Sequence, residues 1–526
     1  MKTNKIDYFK CILVTLIIIQ PFIELDVHFY ESFKQVGIPL ISTIIRFLVL
    51  PLAIIYGFIK YDQNKKRSLI IIFTYLILLL IYFIIHCYNS IAIRDALYLP
   101  PNFIFDIIDE FIYVFTLVLP YFLIYLFYKV KFSKQEIRFI VITLSVIISL
   151  PILLSNLLGY SHSTYLGWTK DSIMSWFTNG YDNYLPRELA GKFFFIEGNT
   201  IGILLFMILP ILYYYFYASL SLRQYIVTGI SIIVQSLAMF ILATKVATYG
   251  AIIGAILFLI ILLFSSIIMK NDKLCYKSII LAITMIVITV IILPYTPAIK
   301  NLEVDAVNDK AVVEDNYMIE DGKGGVQEEL KGAKTKYDPS LVYAFEQYGI
   351  KSNLMSAVPT SYYMEWYKYT YDAAWWLDIL FNVPFYERVN GRQIQTLFIK
   401  YKMSETPNPR KEQALGLGYS TMMNGSLILE KDFTQQFYSF GYLGWILMIS
   451  PWLMLLIYGI QKVLRNYKVL LNIKVLVFAA SFTMGLSGAY MSGHILDEFT
   501  TSVFLALLVT ALLTELLKIK GRKKYL

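Results

Sequence analysis

Ala247-Thr248-Tyr249-Gly250-Ala251-Ile252-Ile253-Gly254-Ala255-Ile256-Leu257-Phe258-Leu259-Ile260-Ile261-Leu262-Leu263-Phe264-Ser265-Ser266-Ile267-Ile268-Met269 carries no charged side chain. A helix of about 20 such residues crosses the hydrocarbon of a bilayer. A lone strand of this length would leave its backbone polar groups unpaired in lipid, so a helix is expected. The same reading applies along most of the chain. It predicts twelve spans, at about 8–25, 38–60, 68–88, 104–128, 138–159, 193–217, 224–244, 247–269, 278–296, 436–460, 473–491 and 495–517. Composition agrees: 57% of residues are hydrophobic and only 16% charged, where a soluble domain carries about a quarter charged. The mean hydropathy is +0.60. The expected fold class is an all-α polytopic membrane protein.

The first span follows Lys2, Lys5 and Lys10 and ends in Gln20-Pro21-Phe22-Ile23-Glu24, without a small-residue cleavage site. It reads as an uncleaved helix. The seventh and eighth spans are separated by almost nothing, which allows a hairpin or a broken pair. Basic residues fall in alternate connections: Lys60 to Arg67, Lys129 to Arg138, Arg223, Lys270 to Lys277, Lys462 to Lys474, and the tail from Lys518 to Lys524. The positive-inside rule therefore puts both termini in the cytoplasm. These anchors account for the net charge of +9 without nucleic acid.

Three segments are expected: residues 1–296 with nine spans, 297–435 as one large extracytoplasmic loop, and 436–526 with three spans and a basic tail. The loop begins acidic and glycine-bearing (Asn301 to Leu330). An EF-hand spacing around Gly322 and Glu328 fails because Tyr317 and Ile319 occupy ligand positions. Tyr362, Tyr363, Trp366, Tyr367, Tyr371, Trp375 and Trp376 follow at helix-like intervals. They fit either aromatic helices at a membrane interface or a packed soluble subdomain. Cys11, Cys87 and Cys275 show no ligand spacing, and His28, His86, His162 and His494 are scattered, so no metal or cofactor is expected.

Ionisable groups within spans are costly and each needs a reason. Arg46 lies in mid-span, and a carboxylate among Asp106, Asp109 and Glu110 is its expected partner. Lys245, in Ala243-Thr244-Lys245-Val246, is either a snorkelling lysine or an anion contact at the membrane boundary. Arg392, in Asn390-Gly391-Arg392-Gln393 at a helix start, is an exposed arginine or a planar fork for phosphate oxygens. Leu415-Gly416-Leu417-Gly418 is a tight glycine turn without phosphate-loop spacing. Glu430 and Asp432 precede the tenth span, either as solvated charges that suit the helix dipole or as a base for a hydroxyl proton. His494, in a short turn, is a cap or a second proton-handling group.

Taken in order, these segments resemble the O-antigen ligase and O-antigen polymerase family of bacterial envelope glycosyltransferases. Phe195-Ile196-Glu197-Gly198-Asn199-Thr200-Ile201-Gly202 is similar to its Asn-containing helix start. Thr244-Lys245 resembles its Ser/Thr-Arg element, and Asn390-Gly391-Arg392 its Ser-Gly-Arg element. Gly416-Leu417-Gly418 resembles its Gly-x-Gly turn. Tyr438 to Gly444 resembles its Tyr-Gly-x-x-Gly start of the next span, and Ser492-Gly493-His494 is similar to a Gram-positive version. The match runs from about Phe194 to Leu517, and order rather than any one motif carries it. Many members place a His-Asn pair where this chain reads Leu429-Glu430-Lys431-Asp432.

The resemblance implies a GT-C-like, metal-independent inverting glycosyltransferase of the bacterial plasma membrane. Its partners would be the bilayer, a polyprenyl-pyrophosphate-linked glycan, an acceptor glycan and other polysaccharide-assembly proteins. It gives the pyrophosphate to Arg392 and Lys245, and the proton to Glu430, Asp432 or His494. Asn199, Arg46, Gly416 and Gly418 are supporting residues. Polymerisation of capsule or exopolysaccharide repeats and ligation to another envelope molecule differ only in the acceptor. A transporter or flippase shares the twelve-span plan, but such proteins usually carry related halves, and no repeat is found here.

Overall fold

The computed structural model describes residues 7–93, 103–304 and 391–522 except Leu166, Ser426 and Ile428, together with Trp375, Ile379 and Val383. Most of the acidic segment, the EF-hand spacing and most of the aromatic run lie outside the described residues. Twelve of the described helices are long and apolar enough to cross a membrane, matching the expected number. They are α1 (Tyr8–Val36), α2 (Ile41–Tyr61), α3 (Lys65–Ile93), α4 (Ile107–Val130), α5 (Lys134–Leu157), α6 (Gly198–Tyr217), α7 (Leu222–Leu242), α8 (Lys245–Ile268), α9 (Tyr276–Tyr295), α13 (Asp432–Arg465), α14 (Ile473–Met491) and α15 (Phe499–Lys518). Three shorter helices precede α13: α10 (Gly391–Glu405), α11 (Pro409–Leu415) and α12 (Tyr419–Asn424). No strand occurs among the described residues beyond the isolated bridges His162–Trp168 and Ser163–Gly191.

The chain forms two compact units. The first comprises Met1–Phe73, Phe115–Asn301 and Ser450–Leu526, and the second Thr74–Val114 with Leu302–Ile449. In the first unit α6 is the centre. It has no charged residue and is apolar on all sides, as expected of an enclosed helix. It packs on α5, α7, α8, α9, α14 and α15. Its approach to α8 is close because α8 offers a stripe of small residues, Ala247, Gly250, Ala251, Gly254 and Ala255. Without a hydrophobic drive between helices in lipid, such small-residue contacts supply the packing.

The seventh and eighth spans are a hairpin. Ala243 takes a left-handed conformation (φ +52°), and the Thr244 side chain caps α8 by accepting Ala247 N–H at 3.2 Å. The freed end of α7 is tied to the preceding loop, since Gly191 N–H donates to Ile241 O (2.9 Å) and Tyr165 Oη to Ala243 O (3.2 Å). A π-helical turn covers Ile45–Val49 in α2. Pro51 follows it and cannot donate within the helix, which accounts for the break in the ladder.

Candidate functional site

In the first unit the polar residues singled out in the sequence gather around the first turn of α6. Gly202 lies on the face toward α8, and a Cβ there would sit 2.9 Å from Thr244 Oγ1. The start of α8, with the exposed Lys245 as its first residue, therefore lies directly against the start of α6, one turn beyond Asn199. On another side, Thr200 Oγ1 donates toward His494 O (3.4 Å) and lies 3.3 Å from Glu197 Oε2. The Ser492–Glu498 turn thus packs on the same helix start. Two helix N-termini meet here, one of them beginning with Lys245, and N-termini attract anions through their unpaired N–H groups and dipole.

Gly493 (φ +77°) and His494 (φ +57°) are successive left-handed residues. Buried Ile495 and Leu496 anchor the turn, and Thr501 Oγ1 donates to Ile495 O (2.7 Å). Asp497 Oδ2 lies 3.4 Å from His494 Nδ1. Burial, together with the carboxylates of Glu24, Asp497 and Glu197, pushes the Glu498 carboxyl well above its usual range, against the opposing charge of Arg46.

Arg46 is paired, but with Glu24 rather than with the carboxylates at the start of α4. Arg46 Nη2 donates to Glu24 Oε1 at 2.5 Å, and the guanidinium stands 5.4 Å over the Phe499 ring. Glu24 also accepts from Gln20 Nε2 (2.9 Å) and Thr500 Oγ1 (2.9 Å). The carboxylate comes from a 3₁₀ segment, Glu24–Phe29, that begins at the end of the first expected span. Glu24 and Asp26 are an acidic pair too, and sequence alone does not choose between them and the acids of α4.

The second unit holds Arg392, Glu430, Asp432, Gly416 and Gly418. Arg392 follows Gly391 at the start of α10, as its spacing predicted. Its Nε donates to Glu430 Oε2 at 2.5 Å, with both side chains about a third exposed (35% and 38%). The two groups expected to take different roles thus neutralise each other. One Glu430 oxygen is already engaged by the guanidinium. Asp432 is buried as the first residue of α13, not solvated. Trp375 packs edge-on against Phe398 of α10 (5.4 Å between centroids).

The glycine turn is built by a break in α13. Gly441 is non-helical (φ +62°), which frees the carbonyls of Tyr438 and Ser439. Leu417 N–H donates to the first and Gly418 N–H to the second, each at 3.0 Å. A polar face of α3 closes the other side. Tyr82 Oη donates to Leu415 O (3.1 Å) and Phe440 O (2.5 Å), His86 Nδ1 lies 2.6 Å from Leu415 O, and Asn89 Nδ2 donates to Glu412. Burial raises the Glu412 carboxyl, and the Asn89 bond opposes this. Glu110, fully buried, lies 2.9 Å from His86 Nε2 and accepts the N–H groups of Tyr419 (2.9 Å) and Ser420 (2.7 Å). His86 therefore has an oxygen close to each ring nitrogen. The signal was available: Tyr82, His86 and Asn89 fall on one helix face inside an apolar span.

The fold defines a multi-pass membrane protein whose polar groups are concentrated at helix starts. A family model described as "O-antigen ligase like membrane protein" matches residues 6–519, and the chain belongs to that family. It is therefore a membrane enzyme of the class acting on lipid-linked glycans. No curated protein and no solved structure gives a significant match.

Proposed function

We propose that the protein polymerises polyprenyl-pyrophosphate-linked oligosaccharide repeats at the outer leaflet of a bacterial plasma membrane, with residues 297–435 facing outside. The observation that supports it most is the convergence on the first turn of α6 of Lys245 at the start of α8 and of the turn bearing His494. One element offers cation and helix N–H groups to a diphosphate, and the other offers a base to a hydroxyl. The alternation of basic connections supports the orientation.

In the proposed reaction the acceptor hydroxyl gives its proton to His494 while its oxygen bonds to the anomeric carbon from the face opposite the leaving group. The bond from that carbon to the pyrophosphate oxygen breaks, and the lipid pyrophosphate keeps the electron pair. Lys245 and the N–H groups at the starts of α6 and α8 stabilise the charge that develops there. Arg46 keeps a structural place, tying α1, α2 and α15 through Glu24.

Lys245→Ala is expected to lower turnover about 100-fold, the typical loss for one donor to a developing anion, while Lys245→Arg retains most of it. A deletion strain carrying Lys245→Ala should accumulate single lipid-linked repeats at the outer face. Absence of any lipid-linked sugar there would indicate a flippase, and accumulation of finished polymer still on lipid would indicate a ligase.

Arg392 is a proposed anion contact of the second unit, with Glu430 as the counter-ion an arriving phosphate displaces. Arg392→Ala is then expected to abolish polymer at normal expression. Glu430→Gln, which leaves the guanidinium charged, should lose less than about tenfold, well short of the loss of a general base. Equal loss in the two variants would overturn the counter-ion assignment.

A further inference from the structure

We propose that Asp497 is a positioning residue that orients the His494 imidazole so that Nε2 receives the acceptor's proton. This rests on the reading of His494 as the proton acceptor in the function proposed above.

Asp497 sits three residues beyond His494, and the two left-handed residues Gly493 and His494 shape the turn that brings them together. Its Oδ2 is 3.4 Å from Nδ1, a separation that a small ring rotation closes into a hydrogen bond. Catalytic hydrogen bonds are often this long before substrate binds. Its Oδ1 is buried and has no hydrogen-bond partner among the described residues. Such an oxygen is costly and needs an explanation.

Asp497 also acts on the neighbouring Glu498, whose carboxyl burial and nearby carboxylates push above its usual range. The Asp497 carboxylate is stabilised when a positive charge appears beside it. His494 supplies one at the moment it takes the proton. The Nδ1 contact selects the tautomer with hydrogen on Nδ1, which assigns proton exchange to Nε2.

The turn is held apart from this contact. Thr200 reaches His494 O, and Thr501 donates to Ile495 O (2.7 Å) and Glu498 O (3.0 Å). Changing the Asp497 carboxylate therefore removes the ring contact without removing the turn's backbone bonds. Asn at position 494 accepts a positive φ, so His494→Asn keeps the backbone while deleting the ring.

The test uses the full chain in lipid nanodiscs and, as donor, the lipid-linked glycan extracted from a strain lacking the protein. Wild type, Asp497→Asn, Asp497→Glu, His494→Asn and the His494→Asn/Asp497→Asn double variant are compared. Asp497→Asn is expected to lower kcat about 100-fold, within the range for losing general-base assistance, with KM for the donor within about twofold of wild type. Asp497→Glu should recover to within about tenfold of wild type. The double variant should be no slower than His494→Asn alone, because residues that act as one unit are not additive. Wild-type kcat in Asp497→Asn, or a further loss in the double variant, overturns the proposal. If Asp497→Asn does not extract as a folded protein, Asp497→Glu decides: recovered kcat supports positioning, and a value as low as His494→Asn rejects it. Failure of the wild type to consume this donor would instead overturn the functional reading, a separate outcome.

Discussion

Glu110→Ala is expected to destabilise the second unit by about 2–5 kcal/mol, since each buried donor left unsatisfied costs about 1–3 kcal/mol and Glu110 serves more than one. Glu110 is fully buried and serves three donors: His86 and the N–H groups of Tyr419 and Ser420. Removing it deletes the acceptor that these groups share. The start of α12 then loses its anchor. That loss is a large share of the roughly 5–15 kcal/mol that holds a typical protein folded. Melting of the detergent-extracted protein should drop by several degrees, and protease should gain a cleavage site between residues 405 and 431. Glu110→Gln keeps one oxygen acceptor and should lose less. An unchanged melting curve with an unchanged digest in Glu110→Ala would sink the latch assignment.

Gly416→Ala is expected to be as damaging for a different reason. An added Cβ would overlap the Ser439 carbonyl, which is backbone and cannot rotate away. The residue also sits at φ +83° and ψ 173°, a backbone region essentially restricted to glycine, where another residue costs about 1–3 kcal/mol by itself. The turn and the break at Gly441 must separate, taking with them the bonds from Leu417 and Gly418. Gly159→Ala provides the comparison. Gly159 has φ +66° but nothing within 4 Å of an added Cβ, so it reads out the cost of a positive φ without a clash. Melting temperature and polymer formation should fall strongly in Gly416→Ala and only slightly in Gly159→Ala. Similar values for the two would show that close approach to Ser439 has no energetic weight.

Local pattern made several features legible. The long apolar runs predicted twelve spans, and twelve of the described helices are long and apolar enough to cross a membrane. Gly391-Arg392 was readable as a helix start, and Gly416 and Gly418 as residues of positive φ. These properties depend on neighbours a few residues away: helix hydrogen bonds span four residues, and backbone sterics at one residue are set by its own Cβ. Boundaries were less legible. The tenth span begins at Asp432 rather than near 436, because a helix that breaks at Gly441 has a first half no hydropathy run reveals.

Partnerships between charges required the tertiary structure. Arg46 needed a carboxylate because it lies within a span, but its own sequence could not choose between Glu24 and the acids of α4. The choice follows from which helices pack together. Glu430 and Arg392 each carried a separate chemical reading until their 2.5 Å contact joined them. Tyr82, His86 and Asn89 lie more than 300 residues from the Leu415 and Glu412 groups they satisfy.

By itself, then, the sequence determined a polytopic helical membrane protein with polar residues at particular helix starts. Only the tertiary structure decided which of those residues meet, since burial forces each polar group to find whatever partner packing places beside it, however distant along the chain.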